Sequence, residues 1–363
     1  MDLNLKEDEK LLYSLRALYR QYGYRSFRMS KFEKYELYAR NKDFLVSDRV
    51  ITFTDTNGDL LALKPDVTLS IVRNASFRPG WKQKLYYHEN VYRPSGSDNR
   101  FREIMQCGLE CIGDLDSYDV CEVLDLAEQS LRLISDNCIL SVSHLGILRS
   151  LLNALGAEEE QRRELLRLVA ARNEHELAAL FESRGWDRKL LADLRALLGL
   201  SCSLEELPGK LRALEPQWLD QAVWKELEEL SLLSRGRQSL ARFDLSVIND
   251  IHYYNGIVFQ GFIQSVAEKV LSGGRYDSLL ERMNRRGRAI GFAIYVGLLE
   301  QVLRRAEEFD ADVLVLYDRS VPVTEVQDAV KRLRESGRSV SAQRCTEGRY
   351  REICDLRGGE KHA

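Results

Sequence analysis

The chain has 363 residues, 44% of them hydrophobic and 30% charged. That length allows two domains around a large core, and that composition excludes a disordered or fibrous chain. The formal net charge of −3 argues against a dedicated nucleic-acid protein, which carries a basic excess; a local basic face stays open.

The seven cysteines (Cys107, Cys111, Cys121, Cys138, Cys202, Cys345 and Cys354) form no Cys-x-x-Cys pair. They read as reduced thiols, not as a disulfide frame. Zinc at Cys107 and Cys111 would need more ligands at better spacing, and buried small apolar side chains are the simpler reading. The opening MDLNLKEDEK is polar and acidic, unlike a signal peptide, and no apolar run approaches the ~18 residues of a membrane helix. A cytoplasmic protein without a bound metal or cofactor is expected.

Leu11, Leu12, Leu15, Leu18, Tyr19 and Tyr22 recur at helical spacing before Gly23, which predicts an amphipathic helix over Glu9–Tyr22. Tyr24–Met29 reads as a strand and Lys31–Arg40 as a polar helix. Val50–Phe53 and Leu60–Leu63 flank an Asn57-Gly58 turn and form a hairpin. Lys64-Pro65-Asp66-Val67-Thr68 breaks the strand and opens a helix over Leu69–Ala75. Asp66 and Thr68 have two readings there, as caps of that helix or as holders of a ligand's ammonium. Lys84–Arg93 and Phe101–Ile112 are two strands around a polar loop. Gln106 and Glu110 are four apart in the second strand and share a face. That face is either exposed or a pocket wall offering acceptors to a cationic ligand. Ser117–Ile134 is a helix.

From Val142 to Gly236 leucine, alanine, glutamate and arginine dominate, and an all-helical segment is predicted. Asp244–Gln260 returns to β-branched and aromatic residues. It reads as a strand over Val247–Tyr254, a turn at Asn255-Gly256 and a second strand at Ile257–Phe259. Asn249, Asp250 and His252 interrupt the first strand, so they face solvent or line a cavity, because unpartnered polar groups are costly to bury. Ser272–Asp277 reads as a glycine-rich turn, with Arg275 and Asp277 either a structural pair or ligand contacts. Arg286–Arg304 begins as a strand and becomes a helix by Leu298. Ala311–Tyr317, Thr324–Ser336 and Ser339–Ser341 make a strand, a helix and a strand.

These residues carry a resemblance. KLYYHENVYR with RFREIMQCGLECIG resembles motif 2 of class II aminoacyl-tRNA synthetases in its histidyl form. ALKPDVT is similar to the Arg-Pro-Glu-x-Thr segment of the histidyl-tRNA synthetases, HYYNGIVFQ to their Tyr-Tyr-Thr-Gly signature, and GGRYDSLL to their second histidine signature. GFAI, at Gly291–Ile294, matches the start of motif 3. The resemblance runs from about residue 7 to 300, with five segments in order, far more specific than one motif. It implies an α+β fold: a class II synthetase-like antiparallel sheet core over residues 1–308, containing the helical segment 142–236. A truncated anticodon-domain-like α/β unit follows over 309–363. It also implies an amino-acid (histidine) pocket of Asp66, Thr68, Arg93, Gln106, Glu110, Tyr253, Tyr254 and Arg275.

The departures bear on activity. Amino-acid activation needs arginines on the ATP phosphates. Leu298 stands where motif 3 ends in an arginine, and Asn249 where the histidine signature has its catalytic arginine. Each lost donor is worth roughly 3 kcal/mol of transition-state stabilisation, so loss of adenylation is expected. This pattern resembles the regulatory subunits of ATP phosphoribosyltransferase, a family paralogous to the synthetases. That resemblance implies a non-catalytic chain, itself dimeric, that joins a short-form catalytic subunit in a hetero-octamer. The assembly carries out the first step of histidine biosynthesis under histidine inhibition, with the effector in the inherited pocket or at a subunit interface. The alternatives are a divergent histidyl-tRNA synthetase and a non-catalytic tRNA- or amino-acid-binding module.

Overall fold

A computed structural model describes residues 6–45, 47, 49–94, 100–236, 238–248, 253–299, 302 and 309–357. The chain divides into two compact units, 1–303 and 304–363.

The first unit is built on a sheet of β1 (Arg25–Ser26), β5 (Lys82–Pro94), β6 (Phe101–Gly113), β7 (Cys138–His144), β8 (Ala241–Phe243), β9 (Ile257–Ile263), β10 (Leu271–Arg275) and β11 (Arg288–Tyr295). The strand order is β1-β5-β6-β11-β10-β9-β7-β8. The two outermost pairs, β1–β5 and β7–β8, are parallel, and the pairs between them are antiparallel. One face carries Leu109 and Cys111 of β6 with Ile290 and Phe292 of β11, packed against α1 (Glu7–Gln21) and α4 (Ser117–Ile134). Asp116 caps α4 by accepting from the Tyr118 and Asp119 amides. Helices α5 (Leu145–Ala154), α6 (Glu159–Ala170), α7 (Glu174–Arg184), α8 (Arg188–Gly199), α9 (Leu207–Arg212) and α10 (Gln221–Ser234) bury their leucine stripes in the same core. The opposite face packs on α3 (Thr68–Asn74), α11 (Asp277–Arg282) and residues of a small sheet, in which β4 (Leu60–Leu63) lies between β2 (Phe32–Lys34) and β3 (Thr52–Thr54).

Several local expectations give way to tertiary pairing. The polar helix expected from Lys31 is instead β2, paired with β4, followed by the short α2 (Tyr35–Ala39); local propensity is a weak prior against a sheet partner. Of Tyr24–Met29 only Arg25 and Ser26 pair as strand. The helical segment starts at Leu145, not Val142, because β7 runs on to His144, whose Nδ1 accepts the Gly146 amide at 3.1 Å and caps α5. Gly273 and Gly274 lie within β10, not in a turn. A Cβ on Gly273 would meet Phe292 and Phe259, and one on Gly274 the Tyr254 ring, so bare backbone lets aromatic rings lie on the sheet.

The strand expected over Val247–Tyr254 is not formed by its described residues. The Asp244 carboxylate accepts the Ser246 amide at 2.9 Å and hydroxyl at 2.6 Å, turning the chain before a ladder can begin. Residues 249–252, including Asn249, lie outside the described residues. Asn255-Gly256 leads into β9, which pairs with β7 and β10.

The second unit is a parallel sheet ordered β13-β12-β14, from β12 (Ala311–Leu316), β13 (Val340–Gln343) and β14 (Tyr350–Asp355). Helix α12 (Val323–Glu335) lays Val326 and Ala329 against Val315.

Candidate functional site

The site grows from β6. Gln106 and Glu110 lie on one sheet face, as their spacing requires, and both are buried. Glu110 faces Gly291 of β11, and any Cβ there would drive into its carboxyl group. The Thr68 hydroxyl donates to Glu110 Oε1 at 2.8 Å, and the Tyr276 hydroxyl donates to Oε2 at 2.6 Å. Among the described residues no lysine, arginine or histidine pairs with it. Burial pushes Glu110 up to about 8; the two hydroxyls oppose that rise and the Asp66 charge adds to it. Burial without a paired cation therefore favours the protonated form of this carboxyl group.

Pro65 ends the strand and sets up α3. Asp66 Oδ1 accepts the Leu69 amide at 2.8 Å, so Asp66 caps that helix. The Arg93 guanidinium donates from Nε to the Pro65 carbonyl at 2.5 Å and lies 3.4 Å from Asp66 Oδ2. Burial raises the Asp66 pKa, with Arg93 and the Leu69 and Thr68 amides pulling it down. Tyr253 stacks between Phe44, Tyr254 and Tyr276, at centroid distances of 5.9, 4.6 and 5.7 Å. The buried Gln106 amide forms no hydrogen bond with the described residues.

The structure thus brings together Asp66, Thr68, Glu110 and Tyr253, with Arg93 behind Asp66, Tyr254 beside Tyr253, and Gln106 along the same strand face. It does not bring Arg275 there. Arg275 lies across from Ile290, on the opposite face, where Nη1 reaches Glu226 Oε1 at 2.9 Å and Nε reaches Asp277 Oδ2 at 2.7 Å. Asp277 also accepts the Ala289 amide at 2.9 Å, so the Arg275–Asp277 pair is structural. Leu298 is half-buried in a 3-10 turn after β11.

Four residues escape a reading of the sequence. Tyr276 sits inside Gly-Gly-Arg-Tyr-Asp, the signal that could have found it. Lys64 and Glu89 form a buried ion pair beneath the Pro65 segment. Glu226 sits among helix formers with nothing in the sequence to mark it, yet it joins α10 to Arg275.

The histidyl-tRNA synthetase family model matches residues 3–299. The chain belongs to the histidyl-tRNA synthetase family. Family members similar to it differ in role by name. It is 25% identical over 350 residues to an ATP phosphoribosyltransferase regulatory subunit of Bacillus cereus (strain ATCC 10987 / NRS 248), covering 93% of this chain and 83% of that one. A solved structure from Bacillus halodurans C, described as an ATP phosphoribosyltransferase regulatory subunit/histidyl-tRNA synthetase, superposes with a TM-score of 0.77 at 24% identity, over 97% of this chain and 94% of that one. The ATP phosphoribosyl transferase (HisG:HisZ) complex of Thermotoga maritima contains a chain that matches with a TM-score of 0.61 at 21% identity, over 81% of this chain and 98% of that one. These likenesses establish the class II synthetase fold expected from the motifs.

Proposed function

We propose that this member of the family is a non-catalytic regulatory subunit. It assembles with a short-form ATP phosphoribosyltransferase and makes that enzyme active and histidine-sensitive in the first step of histidine biosynthesis. The observation that carries the reading is a division within one site. The amino-acid side is built, with Glu110, Thr68, Asp66 and Tyr276 bonded into a cradle and Gln106 open to a ligand. The phosphate side departs from the synthetase pattern at a described position: Leu298, which is apolar, stands where motif 3 ends in an arginine, while Arg93 is held by Pro65 and Asp66. Without fixed positive charge at the developing phosphate charge, adenylation loses its main source of rate. The names of the relatives support the same role, and the Thermotoga complex supports a catalytic partner.

On this reading the chain neither activates histidine nor charges tRNA. Two copies pair with each other, and histidine binds where the synthetase substrate would: its cationic group takes the place of the Glu110 proton, and Gln106 orients it. Light scattering of the purified chain mixed with a short-form catalytic subunit tests assembly, and a hetero-octamer is expected. ATP–pyrophosphate exchange with histidine tests the loss of adenylation. A blank exchange is expected, and turnover at a synthetase's rate refutes the non-catalytic role.

A further inference from the structure

The second unit carries a feature that the regulatory reading does not use. Its two sheet edges differ. β14 is Tyr-Arg-Glu-Ile-Cys-Asp, and its charges discourage further strand pairing. β13 is Val-Ser-Ala-Gln, neutral along its length and without proline. In the β12–β13 ladder the carbonyls of Ser339 and Gln343 accept from the Val313 and Tyr317 amides, each at 3.1 Å. Alternate residues of a parallel strand bond to one side, so Val340 and Ala342 turn their N–H and C=O groups outward from the edge. Those groups have no partner among the described residues.

The side chains of Val340 and Ala342 lie on the face that carries α12, and between strand and helix runs an open groove of about 670 Å³. Its floor is apolar, made of Val326, Val330 and Ala342, and Val323 at its mouth is 71% exposed. Lys331, Arg334 and Arg344 line its rim against one acid, Glu335. Three other basic residues near this sheet are paired, Arg338 with Glu352, Arg351 with Asp312 and Arg357 with Asp355. The three at the groove have no carboxylate partner among the described residues, and Arg344 is held over the Tyr317 ring at 5.5 Å.

We infer that this groove docks an extended, acidic segment of a partner polypeptide, which adds a strand to β13. Its backbone pairs with the outward groups of Val340 and Ala342. Alternate apolar side chains enter the groove, and its carboxylates meet Lys331, Arg334 and Arg344. Charge complementarity selects an anion, and the unpaired edge selects a strand. A nucleic acid is disfavoured, since Tyr317 already carries Arg344 and the floor is aliphatic, leaving no open aromatic ring for a base.

The test uses the full chain and fluorescent eight-residue peptides that alternate valine with glutamate, read by anisotropy. The acidic peptide binds, and its lysine counterpart does not. Binding weakens at least about tenfold in Lys331→Glu/Arg334→Glu, two exposed changes that leave the helix register intact. It is also lost when the peptide is N-methylated at alternate residues, which blocks strand pairing without altering the protein. Failure of the acidic peptide to bind at millimolar concentration overturns the inference. So does affinity indifferent to the charge reversal or to N-methylation, or tighter binding of a single-stranded RNA octamer at the same residues.

Discussion

Glu110 and Glu226 are carboxyl groups held against opposite faces of one sheet, and their surroundings give them opposite chemistry. Glu110 has hydroxyl partners, Thr68 and Tyr276, and no cation among the described residues, and burial pushes it up to about 8. Glu226 reaches the other face from α10. Burial alone would raise it, but His144, 3.4 Å away, and Arg275, at 2.9 Å, hold it down at about 2. The difference separates a site from a rivet. A cation already supplied by the fold makes a carboxylate structural, whereas a carboxyl group buried without one is poised to take a cation from a ligand.

The largest effect that can break this contrast is at Glu110. Its folded pKa lies above the ordinary 4.5, so the native state keeps a proton that the unfolded chain loses. Stability therefore falls as pH rises from about 4.5 to about 8, and is flat above. Glu110→Gln should remove that slope, raising stability by roughly 4 kcal/mol at pH 8.5 and by almost nothing at pH 4. Urea titrations across pH measure it, and parallel curves for the two proteins would mean that Glu110 is ionised in the fold.

Glu226→Gln should act in the opposite sense. The folded pKa is depressed, so its contribution is present above about 4.5 and is lost as pH falls towards 2. A loss of about 3 kcal/mol at pH 7, shrinking below pH 4, is expected in the same titrations. A loss that persists undiminished at pH 2.5 would count against the ionic rivet.

Gly291→Ala sharpens the comparison from the backbone side. The new methyl group displaces the Glu110 carboxyl, with an expected cost of about 2 kcal/mol and a loss of histidine binding by calorimetry. Retained affinity would place the ligand elsewhere. Smallest is Tyr276→Phe, which deletes one hydroxyl from Glu110 and should cost about 1 kcal/mol. Because that hydrogen bond lowers the Glu110 pKa, the pH slope should also extend further upward in the variant.

Much of this is legible in the sequence. Strand alternation put Gln106 and Glu110 on one face, Asn57-Gly58 marked the β3–β4 hairpin, and α4 ran over the residues that its periodicity required. What escaped depends on long-range partners. Nothing local says that Phe32-Glu33-Lys34 will pair with β4 and not coil into a helix. Gly273-Gly274 looks like a turn until the rings of Phe259 and Tyr254 are seen lying over it. Arg275 reads as a ligand contact or a structural residue with equal ease, and only Glu226, 49 positions earlier in the chain, decides between them. β14 has three charges in six residues and no apolar pattern, so its pairing with β12 could not be anticipated.

The most direct test is phosphoribosyl-ATP formation by a short-form catalytic chain, with and without this protein, titrated with histidine. Activity should rise on addition of the chain and fall with histidine, and the histidine response should be lost with Glu110→Ala. Equal activity with and without the chain, and no response to histidine, would contradict a regulatory role.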